Sequence, residues 1–446
     1  MIEALTTRID RKEAKLAVIG LGYVGLPVAC CFAEAGFDVL GVEIQPERVD
    51  QINVGVSPIE GDEPGLAELL RAAVESGRLR ATSDYADLAD RDVILIDVET
   101  PVDEDHIPQY HALRAVLGGL GPVLKHGALV IVESTIAPGT MADLVCPLLE
   151  ESSGKRVNTE VFLGNCPERV MPGKLLANLR TLSRVVGGGT PETAAAMIAL
   201  YRHIVKADLD LADWITAELV KTVENAYRDV QIAFANEVAL ICEALGGDVW
   251  RVRELVNKSP QRHMHLPGGG VGGHCIPKDP WLLAYGVQDE DVPLRLIPAA
   301  RTVNDGMPLH VAEILIKALA EHGIQPREAR VLVLGYAYLE DSDDTRNSPS
   351  AVLVEELKAL GMDVRVHDPY VAEYTGDLYA LAEGCHALIL MVKHSHYQQL
   401  DLSLLGACLK TPILIDTRQI LNPDDARLSG YDIYQLGAAR MRSKNT

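Results

Sequence analysis

Lys15-Leu-Ala-Val-Ile-Gly20-Leu-Gly22-Tyr-Val-Gly25 is the stretch that decides the fold. A short apolar run ends in three spaced glycines, and helical text follows from about Val24 to Ala35. In such a strand-turn-helix unit each glycine has its own task. The first makes the tight turn, the second lets backbone approach a pyrophosphate, and the third lets helix and strand pack closely. The N-terminus of the following helix then offers N–H donors and a favourable dipole to phosphates. Gly36-Phe-Asp-Val-Leu-Gly-Val-Glu43 reads as the next strand, and Glu43 falls 23 residues after Gly20. A carboxylate there accepts from adenosine ribose hydroxyls and repels a 2′-phosphate, which favours NAD over NADP.

Working outward, Asp92-Val-Ile-Leu-Ile-Asp97 and Ala128-Leu-Val-Ile-Val-Glu133 are further apolar runs separated by helical text. Strands of this kind imply a parallel sheet covered on both faces. The last third repeats the scheme in Arg330-Val-Leu-Val-Leu-Gly335, Gly361-Met-Asp-Val-Arg-Val-His-Asp368, His386-Ala-Leu-Ile-Leu-Met-Val392 and Pro412-Ile-Leu-Ile-Asp416. The expected fold is α/β, with two Rossmann-like, doubly wound parallel-sheet domains. The second half keeps Gly335 but lacks the triple-glycine pattern.

Between the halves, Trp214 to Leu245 contains neither proline nor glycine. Apolar residues recur there at helical spacing: Ile215, Leu219, Val223, Ala226, Val230, Ala233, Phe234, Val238 and Ile241. About 30 residues make a helix about 45 Å long. A helix of that length is expected to join domains and to pack against its copy in a homodimer. The expected division is an N-terminal NAD-binding domain over 1–200, a helical middle over 201–310 and a second Rossmann-like domain over 311–446.

Composition narrows the function. The chain has 446 residues, with 41 basic and 63 acidic side chains, a net charge of −22. So acidic a surface repels nucleic acid, yet local cations and helix termini still hold a small phosphorylated ligand. The start, MIEALTTRIDRKEAK, has no apolar core of a secretory signal, and no run reaches membrane-spanning length. The expectation is a cytoplasmic protein without membrane insertion. The eight cysteines show neither CxxC pairs nor metal-ligand spacing, so no metal is expected and most should be small buried hydrophobes.

One cysteine stands apart. In Pro267-Gly-Gly-Gly-Val-Gly-Gly-His-Cys275-Ile-Pro-Lys-Asp279-Pro, five glycines precede the thiol. Such backbone reaches tight turns and crowds a ligand, although glycine-rich turns are also built for architecture alone. His274, Lys278 and the loop's N–H groups are candidates to stabilise a thiolate, with His274 read as a structural residue rather than a base. Lys221 and Asn225, four apart, share a helix face that is either solvated or able to hold a developing oxyanion. In Asn165-Cys-Pro-Glu168-Arg-Val-Met-Pro172-Gly173, Glu168 either activates water or pairs with Arg169.

Taken together, GLGYVGLP, the Glu133-Ser-Thr135-Ile-Ala-Pro-Gly139 turn, the Pro-Glu-Arg loop, KTVENAYRDVQIAFAN over 221–236, GGGVGGHCIPKDP and Asp343-Asp-Thr-Arg346-Asn-Ser-Pro349 resemble the UDP-glucose/GDP-mannose dehydrogenase family in content and order. The resemblance covers nearly the whole chain. It implies two successive NAD-dependent oxidations at C6 of a UDP-sugar, with Cys275 as nucleophile. It implies oxyanion stabilisation by Lys221 and Asn225, water positioning by Asp279 and help in thioester hydrolysis from Glu168. Cofactor contacts are implied at Gly20, Gly22, Tyr23, Val24, Gly25, Glu43, Arg48, Thr100, Glu133, Thr135 and Arg346. Substrate contacts are implied at Arg169, Val170, Arg228, Gly272 and Arg418. Within the family the text looks most like the branch acting on UDP-N-acetylmannosamine, followed by the branch acting on UDP-N-acetylglucosamine. One position departs: Gly335-Tyr-Ala-Tyr is followed by Leu339, where the family usually carries lysine. A two-electron β-hydroxyacid dehydrogenase and a non-catalytic nucleotide-sugar-binding relic are the rival readings; the first needs neither the cysteine loop nor the second α/β domain.

Overall fold

The computed structural model describes residues 1–59, 63–171 and 173–438. It forms two compact units, one of Met1–Glu224 with Trp281–Val292, the other of Asn225–Pro280 with the chain from Pro293 onward.

The first unit is built on β1 (Lys15–Ile19), β2 (Asp38–Val42), β3 (Leu79–Thr82), β4 (Val93–Ile96), β5 (Leu129–Val132), β6 (Phe162–Asn165), β7 (Arg184–Gly188) and β8 (Leu209–Ala212). Their spatial order is β3-β2-β1-β4-β5-β6-β7-β8. Side chains alternate between two buried layers. Leu16 and Val18 join one layer, with Val93, Leu95, Leu129 and Ile131. Ala17 and Ile19 join the other, with Ile94, Ile96, Val130 and Val132. Burial on both faces explains why these strands read as unbroken apolar runs rather than alternating ones. The sheet departs from the parallel scheme once, at β6 and β7, which pair antiparallel through Gly164 and Gly188. A Cβ on Gly164 would lie 2.1 Å from the Met197 sulfur, so the helix behind this pair packs directly on backbone.

The second unit carries β9 (Arg330–Leu334), β10 (Asp363–His367), β11 (Ala387–Leu390), β12 (Ile413–Asp416) and β13 (Asp432–Gln435), in the order β10-β9-β11-β12-β13. All four pairings are parallel. One face packs Val331, Val333, Ile389 and Ile415 against Ala235, Ala239, Met307, Val311 and Leu315 from the long helices. The two Rossmann-like sheets and the helical middle region stand as the sequence implies.

The long helix spans Trp214–Leu245, 32 residues. Its apolar positions divide between two faces. Small residues, Ala217, Ala226, Ala233, Ala235 and Ala239, are buried, whereas Ile215, Leu219, Val223, Tyr227, Phe234 and Ile241 are exposed. Among the described residues no helix is long and apolar enough to cross a membrane.

Candidate active site

The glycine turn shows its three tasks in the geometry. Gly20 has φ +93°, and a Cβ there would lie 2.5 Å from the Asp97 carbonyl oxygen. A Cβ on Gly25 would sit 2.0 Å from the Gly20 carbonyl oxygen, so the helix Gly25–Ala35 approaches the turn as closely as backbone permits. A Cβ on Gly22 would meet nothing within 4 Å. The turn is thus tight at its base and open at its tip, which fits a pyrophosphate laid on the helix N-terminus. Tyr23 and Val24 are half-buried beside it. Glu43 follows β2 directly, and its Oε1 accepts the Gln45 N–H at 3.1 Å. Arg48 donates to the Pro58 carbonyl at 3.4 Å.

Beside the turn, the Thr100 hydroxyl donates to the Thr135 carbonyl at 2.5 Å. The segment that follows Thr135 is held from the long helix. The Glu218 carboxylate accepts the Gly139 and Met141 N–H groups at 2.8 and 2.7 Å. Burial pushes its pKa up to about 7 against the lowering effect of these two bonds. Lys221, three residues further along, is also buried. Of the two readings left open for the pair it makes with Asn225, a fully solvated face is therefore incorrect.

Glu168 lies in a buried charge cluster that the sequence reading did not assemble. Its Oε1 accepts the Arg169 backbone N–H at 2.7 Å, and its Oε2 is 2.6 Å from Nη2 of Arg184. Arg169 turns its guanidinium elsewhere, to Glu224 at 3.0 Å and the Ser183 carbonyl at 2.8 Å. Arg184 also meets Glu133 at 3.3 Å and stacks over the Tyr201 ring at 4.8 Å. Tyr201 donates to Glu133 Oε1 at 2.6 Å. Glu133, implied at the nicotinamide ribose, is only 2% exposed and faces this cluster. Asp97 completes it, its pKa raised by burial and by neighbouring Glu133. The signal in the sequence was Arg184 at the head of an otherwise apolar strand. Val170 packs against the sheet core. Pro172 lies outside the described residues.

In the second unit the cysteine loop is fastened from both sides. The Gly268 N–H donates to Asn236 Oδ1 at 2.9 Å, and Arg418 donates to the Gly270 carbonyl at 3.1 Å. The Gly273 N–H donates to the Arg346 carbonyl at 2.9 Å, and Asn347 returns a bond to the Gly273 carbonyl at 3.1 Å. A Cβ on Gly272 would lie 2.5 Å from Cβ of Tyr338, which is why glycine stands there. The Cys275 carbonyl accepts from Lys278 and Asp279 at 3.1 and 2.8 Å, and the thiol side chain is exposed. Asp279 is fully buried. Its Oδ2 accepts from Asn225 at 2.6 Å, and Lys278 Nζ lies 3.3 Å from its Oδ1. Burial, then Lys278 and Arg346, lower His274 to about 4, so it is neutral at pH 7 and lends a thiolate no charge. Arg346 is paired with Asp344 at 2.9 Å, and Arg228 is exposed on the long helix.

Other thiols differ from Cys275. Cys30, Cys31, Cys166, Cys242 and Cys385 are buried. Burial pushes Cys166 up to about 12, and Cys31 and Cys385 to about 11.

Comparison with known proteins accounts for both units. Residues 14–205 match the NAD binding domain of the UDP-glucose/GDP-mannose dehydrogenase family, 215–306 its central domain and 332–423 its UDP binding domain. A UDP-N-acetyl-D-mannosamine dehydrogenase of Pyrococcus horikoshii is 39% identical, over 91% of this chain and 96% of the relative. One from Salmonella typhi is 38% identical, over 91% of this chain and 98% of its own. The solved structure of the UDP-D-ManNAc dehydrogenase from Pyrococcus horikoshii superimposes with a TM-score of 0.89 at 38% identity, covering 95% of this chain and 99% of that one. The chain belongs to the UDP-glucose/GDP-mannose dehydrogenase family of NAD-dependent oxidoreductases.

Proposed function

We propose that the chain converts the C6 alcohol of a UDP-N-acetylhexosamine to the carboxylate in two oxidations, with UDP-N-acetyl-D-mannosamine as the leading substrate. The substrate choice is supported by the names of the relatives from Pyrococcus horikoshii and Salmonella typhi. The observation that carries the chemistry is the contrast among thiols: Cys275 is exposed on a loop fixed by backbone bonds, while five others are sealed in cores.

NAD, when bound, accepts one hydride in each oxidation. The C6 alcohol first loses a hydride and a proton to give the aldehyde. The Cys275 sulfur adds to that carbon, a second hydride leaves, and a thioester results. Water then attacks the thioester, the C–S bond breaks, and the thiolate is recovered. Lys221 and Asn225 stabilise the successive oxyanions. Asp279, held by Asn225 and Lys278, positions water, and Glu168 takes the water's proton. Gly20, Gly22, Tyr23, Val24, Gly25, Glu43, Arg48, Thr100, Thr135 and Arg346 are the proposed cofactor contacts, and Arg169, Val170, Arg228, Gly272 and Arg418 those to the sugar nucleotide.

The exposed stripe of the long helix supports the homodimer. Tyr227 and Phe234 are 62% and 61% exposed, and burying such side chains against a second copy is favourable by about 1.5 kcal/mol or more each. Light scattering at a monomer mass contradicts that assembly. The function itself is tested by an NADH-release screen over UDP-N-acetylmannosamine, UDP-N-acetylglucosamine, UDP-glucose and GDP-mannose. The highest kcat/KM falls on UDP-N-acetylmannosamine; a preference for either sugar without the acetamido group contradicts the substrate class.

A further inference from the structure

Three carboxyl groups and one guanidinium meet in the interior at the ends of β4, β5, β6 and β7. Asp97, Glu133 and Glu168 are the acids and Arg184 the cation; Tyr201 and Cys166 close the cluster. Arg184 is 1% exposed, and its two terminal nitrogens divide between two acids, Nη1 towards Glu133 and Nη2 towards Glu168. Neither Asp97 oxygen, nor Oε2 of Glu133, has a conventional donor among the described residues. Two adjacent acids with no donor between them satisfy one another only when one carries a proton. Burial and Glu133 both favour the proton on Asp97; burial raises Glu133 as well, against the lowering effects of Arg184 and of hydrogen bonds from Asp97 and Tyr201.

We infer that Arg184 is a positioning residue for Glu168, fixing its carboxylate in one orientation while Glu133, which accepts from Tyr201, takes up the other side of the guanidinium. An ionised carboxylate has about four acceptor sites. Oε1 is held by the Arg169 N–H, and Oε2 lies 2.6 Å from Nη2 of Arg184 as an ion pair, so both oxygens of Glu168 are held in place. The inference rests on Glu168 as the base of thioester hydrolysis. In that step water oxygen bonds to the thioester carbon, the C–S bond breaks with its electron pair on Cys275, and the water proton passes to Glu168. Without Arg184 the carboxylate loses both its counter-charge and its direction, and this step alone slows.

The test is rapid-mixing kinetics of the full chain with UDP-N-acetylmannosamine and NAD, comparing wild type with R184K, R184Q and E168Q. For R184Q we expect two NADH per site in a burst, then a steady rate at least tenfold below wild type, with the thioester on Cys275 visible in the intact mass. R184K, which keeps the charge but not the fork, should fall between the two. The acid limb of its steady-state pH profile should be displaced from that of wild type. Should R184Q fail to fold, R184K carries the test. R184K with wild-type burst, steady rate and pH profile overturns the inference, as does a loss of the first hydride step equal to the loss of the steady rate. Wild-type hydrolysis in E168Q overturns the reading of Glu168 itself. A stalled E168Q beside an unaffected R184Q overturns only the role of Arg184.

Discussion

The two sheets begin alike and end differently. Gly20 and Gly335 follow the first strand of each sheet with φ of +93° and +92°, and each neighbouring strand is followed by an acid, Glu43 or Asp368. In the first unit the acid bonds its own loop at Gln45, and a Cβ on Gly22 would meet nothing within 4 Å. In the second unit the acid closes the turn. Asp368 accepts the Tyr336 and Ala337 N–H groups at 2.6 and 2.9 Å and meets fully buried His394 at 3.1 Å. The acid after the second strand thus closes the turn in one sheet and does not in the other. A Rossmann-like sheet alone therefore does not define a dinucleotide site; the geometry of its first turn has to allow one.

The most damaging way to break the contrast is Gly25→Val. Its Cβ has no room against the Gly20 carbonyl, so we expect NAD affinity to fall by at least about 100-fold, on the order of 2.7 kcal/mol. Isothermal titration with NAD measures it. Asp368→Ala attacks the other sheet. It strands two N–H groups and a buried histidine, and urea unfolding should show a loss of about 2 to 4 kcal/mol.

The two units also respond oppositely to pH. Burial pushes Asp368 up, but hydrogen bonds from His394 and nearby N–H groups outweigh it and hold the pKa at about 2, below the usual 3.8. Its contribution, about 2 kcal/mol, is fully present above 3.8 and is lost as pH falls through 2. Glu218 is raised from 4.5 to about 7, so its contribution is present below 4.5 and lost as pH rises through 7. Melting curves across pH 5 to 8 should show a decline in wild type that Glu218→Gln flattens.

Gly22→Ala is the finest probe. The side chain meets no protein atom, so the melting temperature should hold within about 2 °C while NAD affinity drops roughly tenfold. Unchanged affinity would remove the pyrophosphate from this turn.

Much of this was legible in advance because local chemistry dictated it. Lys15–Ile19 and Trp214–Leu245 fall at the boundaries their patterns imply, since glycine marks the strand's end and an unbroken apolar period marks the helix. The antiparallel pairing of β6 with β7 was not legible, because strand direction depends on how the chain returns. Nor was the cluster of Asp97, Glu133, Glu168 and Arg184, whose members are up to 87 residues apart (184 − 97) and meet only when four strand ends are laid side by side. The periodicity of the long helix revealed that it is amphipathic, but not that its larger apolar residues lie outside the cores of a single chain. His274 was read as a structural residue rather than a base, but its burial, a tertiary property, was not legible.

The central claim is that Cys275 holds the sugar carbon between two oxidations. Counting NADH formed per UDP-N-acetylmannosamine consumed, in wild type and in Cys275→Ala, tests it most directly. The account predicts two NADH and a uronate product in wild type, and no uronate in the variant, which still binds the sugar nucleotide. One NADH per sugar in wild type, or two with full turnover in Cys275→Ala, would contradict it.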